Sequence, residues 1–316
     1  MSKAVNRPVY NSTTSIGPEA QELKNNLKEG QTLLLENLRF HKGEETNDKD
    51  FSENLTLGID YFVNDAFSCS HRKHSSTVGV TNFLPSFMGI HLEKEIKALE
   101  GVLNNPNKPV AAIIGGSKVS TKIDVINFLL KKMDIIIIGG AMANTFVAAK
   151  GLDVGTSLFE KECIDLAKEL IEKSQNNNCN LILPTDFIVS KNLKKNAEYT
   201  TANFDSLPHN MMALDIGPKS IELINKNINN CKTILWNGPL GAFETYPFDK
   251  GTNKVASYVS SLTKQKKILS VAGGGDTVSA LNNAKVLNDF SYVSTAGGAF
   301  LEWLEGKVLP GIEPIS

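Results

Sequence analysis

Between Pro109 and Phe300 the chain repeats one pattern: a short apolar run, a glycine or other turn-former, then residues at helical spacing. The runs read Val-Ala-Ala-Ile-Ile-Gly-Gly, Ile-Ile-Ile-Ile-Gly-Gly, Leu-Ile-Leu-Pro, Thr-Ile-Leu-Trp-Asn-Gly, Ile-Leu-Ser-Val-Ala-Gly-Gly-Gly and Tyr-Val-Ser-Thr-Ala-Gly-Gly. Strands that are apolar at every position, rather than at alternate ones, suit a sheet buried on both faces. After the first run, Ile123, Ile126, Leu130 and Met133 fall on one helical face. Strands alternating with helices point to a parallel α/β sheet, and this segment contains enough of them for one complete domain.

The segment before Pro109 is thinner. Thr32–Phe40 and Tyr61–Phe67 read as strands, Asp48–Leu57 as a helix, and Leu92, Ile96, Leu99 and Leu103 as the apolar stripe of a long helix. The Asn-Asn-Pro-Asn-Lys-Pro stretch that ends at Pro109 marks a boundary. Two strands are little for an independent α/β domain, so this part is either a small lobe or one whose beginning is absent. The full length of 316 residues exceeds the usual single core. Three Asn-rich stretches, Gln175–Asn180, Asn225–Asn230 and Leu281–Asp289, read as loops and helix ends.

Lys plus Arg number 33 against 34 Asp plus Glu, so there is no field to hold nucleic acid or an anionic membrane. A small phosphorylated ligand needs only a local positive site. Cys69, Cys163, Cys179 and Cys231 form no C-x-x-C pair, which suggests reduced thiols in a cytoplasmic protein. No apolar run approaches the roughly 20 residues of a membrane helix, and the opening residues carry no secretory signal.

Four of the runs end in glycine clusters: Gly115-Gly116, Gly139-Gly140, Gly273-Gly274-Gly275 and Gly297-Gly298. In an open parallel sheet all four would lie at the carboxyl edge, where ligands bind. One cluster is ordinary turn chemistry. Several on one edge place backbone N–H groups and helix N-termini where phosphate can approach. Lys118 and Lys122, four apart, would share a face at a helix start and either hold a polyphosphate or form a solvated surface. This is not a Walker A loop. Asp276, after the third cluster, suits Mg²⁺ or a helix N-cap, and the two roles are compatible. In the first segment Arg39 and Arg72 each follow a strand, as carboxylate- or phosphate-gripping guanidiniums often do. His71 and His74 lack a third ligand nearby, which argues against a metal there.

The stretches Leu34–Phe40, Asn64–Phe67, Ser70–Arg72, Gly115–Lys122, Leu235–Pro239, Ala272–Thr277, Ser294–Phe300 and Leu304–Pro310 follow one another in the order and spacing of phosphoglycerate kinases. The resemblance covers essentially the whole chain. It implies an α/β fold of two Rossmann-like three-layer lobes with parallel sheets, joined by a hinge helix, the first lobe incomplete. The implied domains are a partial glycerate-binding domain over 1–88, an interdomain helix and linker over 89–105, a nucleotide-binding domain over 106–300, and a tail over 301–316 that returns to the first domain.

The implied activity is reversible phosphoryl transfer between 1,3-bisphosphoglycerate and Mg-ADP, giving 3-phosphoglycerate and ATP in glycolysis, by a cytoplasmic, hinge-bending monomer. The resemblance assigns nucleotide binding to Gly116, Lys122, Gly140, Gly217, Asn237, Glu244, Gly274, Gly275, Asp276 and Thr277, with Glu244 at the ribose and Asp276 on Mg²⁺. It assigns catalysis to Lys118 and the backbone N–H groups of Gly275 and Gly298, and the glycerate ligand to Arg39, His71 and Arg72. Neither nucleic acid nor membrane is an expected partner. Phosphoryl transfer requires placement and positive charge rather than a nucleophile, in keeping with the absence of any nucleophile motif.

Two departures from the family carry expectations. The family's opening strands have no counterpart here, as if the start were misassigned or the gene truncated, and those strands supply an arginine worth about 10³–10⁵ in rate. In the second case the chain would be a catalytically weak nucleotide-binding fragment. Ala296 stands where the family usually has glycine, which is tolerable if its φ is negative.

Overall fold

The computed structural model describes residues 2–315. The chain divides into two compact units, one of Met1–Lys94 with Val308–Ser316 and one of Glu95–Lys307.

The smaller unit contains α1 (Ser2–Val5), β1 (Val9–Asn11), α2 (Pro18–Asn25), β2 (Thr32–Leu34), α3 (Lys42–Thr46), α4 (Lys49–Thr56), β3 (Phe62–Asn64), β4 (Ser86–Met88) and the start of α5 (Ile90–Leu103). Its strands form two separate parallel pairs, β1 with β2 and β3 with β4. Both expected strands are shorter than the sequence suggests. Thr32–Phe40 extends only to Leu34, because the Asn37 side chain accepts from Arg39 N–H and turns Leu38–Phe40 into a 3₁₀ helix. Tyr61–Phe67 stops at Asn64, whose side chain accepts from Ala66 N–H ahead of another 3₁₀ turn at Phe67–Cys69. Such short polar side chains compete with a strand for the backbone. The expected helix over Asp48–Leu57 forms as α4, with Asp48 as its N-cap accepting from Phe51 N–H at 2.8 Å. A small core of Phe51, Leu55 and Val80 supports the unit.

The C-terminal segment is stitched into this unit by Gly311. Its N–H donates to the Ser70 carbonyl at 2.8 Å, and its carbonyl accepts from Asn64 Nδ2 at 2.9 Å.

In the larger unit the sequence pattern is realised directly. β5 (Val110–Ile114), α6 (Ile123–Leu129), β6 (Ile135–Ile138), α7 (Met142–Ala149), α8 (Ile164–Asn176) and β7 (Asn180–Ile182) are followed by three strands of a side sheet. These are β8 (Asp186–Ser190), β9 (Thr200–Asn203) and β10 (Met212–Ile216). Then come α9 (Pro218–Ile228), β11 (Thr233–Asn237), α10 (Lys250–Lys264), β12 (Leu269–Gly273), α11 (Gly275–Asn283), β13 (Tyr292–Ser294) and α12 (Gly298–Leu304). All the apolar runs join one six-stranded sheet ordered β13-β12-β11-β5-β6-β7, parallel throughout. Every residue of β5 is buried, as a sheet covered on both faces requires. On one face Ala111, Ile113, Ile234 and Trp236 pack against Ile224 and Ile228 of α9 and Val255, Val259 and Leu262 of α10.

The antiparallel β10-β8-β9 sheet was not legible in the sequence. It builds a second core with Val147 of α7, through Phe187, Val189 and Ala213. The Asn-rich stretches fall at the ends of α8, α9 and α11, as expected. All four cysteines are free. No helix among the described residues is long and apolar enough to cross a membrane.

Candidate functional site

Because β5, β6, β11, β12 and β13 run parallel, the turns that follow them share one edge of the large sheet. Main-chain bonds lace three of these turns together. Gly115 N–H donates to the Asn237 carbonyl at 3.0 Å, Gly140 N–H to Leu240 at 2.9 Å, and Met142 N–H to Gly116 at 3.0 Å. This spacing excludes side chains. Gly238 has φ +108°, and a Cβ there would stand 2.1 Å from the Gly115 carbonyl oxygen; Gly140 has φ +69°, and a Cβ would stand 2.5 Å from that of Gly116. Only glycine adopts such conformations at close backbone approach without cost. Ala296 does not enter the left-handed region, so its side chain is accommodated.

A cleft of about 340 Å³ opens beside these turns. Gly116, Ser117 and Gly140 form one border, and the carboxylates of Glu244 and Asp276 stand on its rim. Its walls are apolar, with Leu158, Met212, Leu214, Pro239 and Phe243. A few polar groups set into apolar walls is the usual composition of a small-molecule site.

Behind the rim lies a polar chain. Lys122 Nζ donates to Asn237 Oδ1, and Asn237 Nδ2 donates to the Gly273 carbonyl at 2.8 Å. Thr277 Oγ1 accepts from Gly238 N–H at 2.7 Å, tying the first turn of α11 to the turn after β11. Gly274 is the N-cap of α11, with Gly275 and Asp276 its first residues, so the positive end of that helix opens beside Asp276. Burial pushes the Lys122 ammonium down to about 8, against the opposing pull of Asp276 and Glu305. Partial desolvation disfavours the charged form, so this lysine is poised to gain from a phosphate.

Lys118 and Lys122 do not share a helical face. α6 begins only at Ile123, with Lys122 as its N-cap, and Lys118 lies exposed in the preceding turn. That turn is held from outside by Glu160, whose carboxylate accepts from Ser120 N–H at 3.0 Å and from Ser120 Oγ at 2.5 Å. Gly298 opens α12 and is exposed at its first turn. Gly217 is not among the cleft residues; it is the N-cap of α9, and its N–H donates to the Asp186 carbonyl at 2.9 Å.

In the smaller unit Arg39 and Arg72 are both exposed. Arg39 Nε lies 4.0 Å from Glu45 Oε1. His71 is half-buried, and its Nδ1 is sequestered without a hydrogen-bond partner.

Three groups of residues escaped the sequence reading. The apolar walls were missed because Met212 and Leu214 belong to the unrecognised side sheet. Glu160 was missed because nothing local distinguishes a glutamate in a loop. Asp215 is fully buried behind the cleft; its carboxylate accepts from Gly251 N–H at 2.6 Å and Ile216 N–H at 2.9 Å. Burial pushes its carboxyl up to about 8 despite those donors.

The chain matches the family model for phosphoglycerate kinase over residues 1–307. It is 51% identical over 313 residues to the phosphoglycerate kinase of Brucella melitensis, covering 99% of this chain and 79% of that one. It is 50% identical over 305 residues to that of Rhizobium meliloti, covering 96% and 76%. Among solved structures, phosphoglycerate kinase from Coxiella burnetii superposes with a TM-score of 0.90 at 41% identity, covering 99% of this chain and 78% of that one. The enzyme from Pyrococcus horikoshii OT3 superposes with a TM-score of 0.82 at 29% identity, covering 99% and 80%.

Proposed function

The chain belongs to the phosphoglycerate kinase family, and from that premise we propose how its own residues carry out phosphoryl transfer. The enzyme is a glycolytic phosphotransferase that moves a phosphoryl group between 1,3-bisphosphoglycerate and ADP, yielding 3-phosphoglycerate and ATP.

The larger unit takes the nucleotide. The carrying observation is the cleft in which apolar walls meet Gly116, Gly140, Glu244 and Asp276. Its walls take the nucleoside, with Glu244 on the ribose hydroxyls. The phosphates lie against the turns after β5 and β6 and the N-terminus of α11, where Gly274, Gly275 and Thr277 present backbone donors. Lys122, held by Asn237, supplies charge to the phosphates. Gly217 completes the family's nucleotide set from outside the cleft wall.

Mg²⁺ fits the donors present. Asp276 is an exposed carboxylate on the phosphate side of the cleft, and a hard cation that prefers one or two carboxylates plus phosphate oxygens needs no more from protein. When bound, the ion neutralises charge on the phosphates. Lys118, exposed in its turn, places an ammonium on the transferring group, together with the N–H groups of Gly275 and Gly298. Stabilising charge that develops only in transfer is what raises turnover. The glycerate ligand is gripped by Arg39 and Arg72, with His71 nearby.

The same reading makes residues 1–88 a partial glycerate-binding domain, 89–105 an interdomain helix and linker, 106–300 the nucleotide-binding domain and 301–316 a returning tail, in a hinge-bending monomer. Four free thiols support a reducing, cytoplasmic setting.

The test is the steady-state rate of the 316-residue chain with Mg-ATP and 3-phosphoglycerate, detecting 1,3-bisphosphoglycerate. The expected outcome is formation of 1,3-bisphosphoglycerate above background; a rate in the ordinary kinase range of about 1–100 s⁻¹ or above would make the arginine expected of the family's opening strands dispensable. Background turnover with intact Mg-ADP binding would reduce the chain to a nucleotide-binding protein.

A further inference from the structure

Glu44 is the smaller unit's most unusual acid. It stands in the first turn of α3, beside the exposed Glu45, yet it is only 3% exposed. Its oxygens are taken up by one short segment. Oε2 accepts from Ser76 N–H at 3.0 Å, Oε1 accepts from Ser76 Oγ at 2.6 Å, and His74 Nδ1 lies 3.5 Å from Oε1. The main chain adds to this seam. The Glu44 carbonyl accepts from Ser75 N–H at 2.9 Å, and the Gly43 carbonyl from Ser75 Oγ at 2.8 Å.

The two sides of the seam are the segments that carry the arginines. α3 begins three residues after Arg39, which sits in a turn fixed by Asn37. On the other side the seam reaches Arg72 within a few bonds. His74 N–H donates to Thr77 Oγ1 at 3.3 Å, and Thr77 Oγ1 donates to the Arg72 carbonyl at 2.9 Å. The Arg72 N–H is also spoken for, donating to the Cys69 carbonyl at 3.0 Å. Hydrogen bonds and short stretches of main chain thus connect the segment beside one guanidinium to the backbone of the other.

A buried carboxylate is a poor way to add stability. Its desolvation consumes much of what its partners return, and an apolar replacement is often as stable. What it supplies is geometry: a rigid, bidentate acceptor that fixes one segment against another. We propose that Glu44 is a positioning residue for 3-phosphoglycerate, setting the separation of the Arg39 and Arg72 guanidiniums without touching the ligand. The inference rests on the assignment of those arginines to the glycerate ligand.

The test measures dissociation constants of 3-phosphoglycerate and of Mg-ADP by calorimetry, on the full chain and on Glu44→Ala, Ser76→Ala, Arg72→Ala and the Glu44→Ala/Arg72→Ala double variant. Losing the equivalent of one charge-assisted hydrogen bond from a displaced guanidinium costs about 1.5–3 kcal/mol, at about 1.4 kcal/mol per tenfold, so Glu44→Ala is expected to weaken 3-phosphoglycerate by about 10-fold or more. Mg-ADP should change less than about twofold. In the Arg72→Ala background the added effect of Glu44→Ala should shrink to less than about twofold, since residues acting through one another are not additive. Ser76→Ala removes a single donor, should shift 3-phosphoglycerate in the same direction by less, and carries the test if Glu44→Ala does not fold. Equal weakening of both ligands, or full additivity with Arg72→Ala, overturns the proposal in favour of a general structural role. If Arg72→Ala weakens 3-phosphoglycerate but neither Glu44→Ala nor Ser76→Ala does, the positioning role alone falls. If Arg72→Ala itself leaves 3-phosphoglycerate unchanged, the assignment of the arginines falls, and the inference with it.

Discussion

Strand β5 of the larger unit runs Val110–Ile114 with no residue reaching solvent, whereas β3 of the smaller unit runs Phe62–Asn64 with Val63 56% exposed and the neighbouring Tyr61 65% exposed. The first is central in a six-stranded sheet; the second is half of a two-stranded pair. The two therefore position functional groups by different means. In the larger unit the sheet itself sets the glycine turns, because strands paired along their length must end together. In the smaller unit two-stranded pairs are too small to be rigid on their own. There the arginine segments are fixed by side chains instead: Asn37 at Arg39, and Glu44, Ser75, Ser76 and Thr77 toward Arg72.

The largest expected effect probes that contrast in stability. Trp236 of β11 is 1% exposed and donates from Nε1 to the Gly238 carbonyl at 2.7 Å. Trp236→Ala should cost about 3–5 kcal/mol through the cavity it leaves. Val63→Ala, on an open face, should stay within about 0.5 kcal/mol. Denaturant unfolding of both variants checks this. Comparable losses would mean that β3 is packed as tightly as β11, and the contrast would break.

Next in size is the separation of chemistry from binding. Lys118 lies exposed in the turn that follows β5 and is held by Glu160. Lys118→Ala should lower turnover by about 10²–10³, the usual cost of one group that stabilises transition-state charge. Mg-ADP affinity and melting temperature should hardly move. Steady-state kinetics with calorimetry separates the two. Loss of Mg-ADP affinity on the scale of the loss in turnover would make Lys118 a binding residue and erase its distinction from Lys122.

The same contrast explains what could be read from sequence alone. The six-stranded sheet was legible because strands buried on both faces leave continuous apolar runs, and because the Gly-Gly endings mark where each stops. Part of the cleft's border followed, since Gly116 and Gly140 belong to those endings and Asp276 comes directly after one. Illegible features depended on tertiary partners. The four-residue spacing of Lys118 and Lys122 suggests a shared helical face, but α6 starts one residue after Lys122 and the turn before it is held by Glu160, forty positions away. The side sheet that contributes Met212 and Leu214 is built from strands that mix polar with apolar residues (Asp186–Ser190, Thr200–Asn203, Met212–Ile216), so it leaves no run that is apolar throughout. In the smaller unit strand lengths were overestimated because Asn37 and Asn64 redirect the backbone through their own side chains. Glu44 left no trace at all, since Glu44 and Glu45 are identical in sequence and opposite in burial.

The smallest effect sharpens the account of the larger unit's scaffold. Lys122 is held against Asn237 by that scaffold, and burial has brought its ammonium from 10.5 down to about 8. The sign is fixed by which form binds. The ammonium attracts phosphate and the free amine does not, so affinity is full below about pH 8 and falls as pH rises through it. For a group of that pKa the protonated fraction drops about tenfold between pH 7 and pH 9, which sets the expected loss of Mg-ADP affinity across that range. Lys122→Arg keeps its charge throughout, so its affinity, whatever its absolute level, should stay flat over the same interval. Calorimetric titration at several pH values distinguishes the two slopes. If Lys122→Arg loses affinity as steeply as the unaltered chain, the titrating group is elsewhere and burial of Lys122 has no bearing on how the cleft holds its nucleotide.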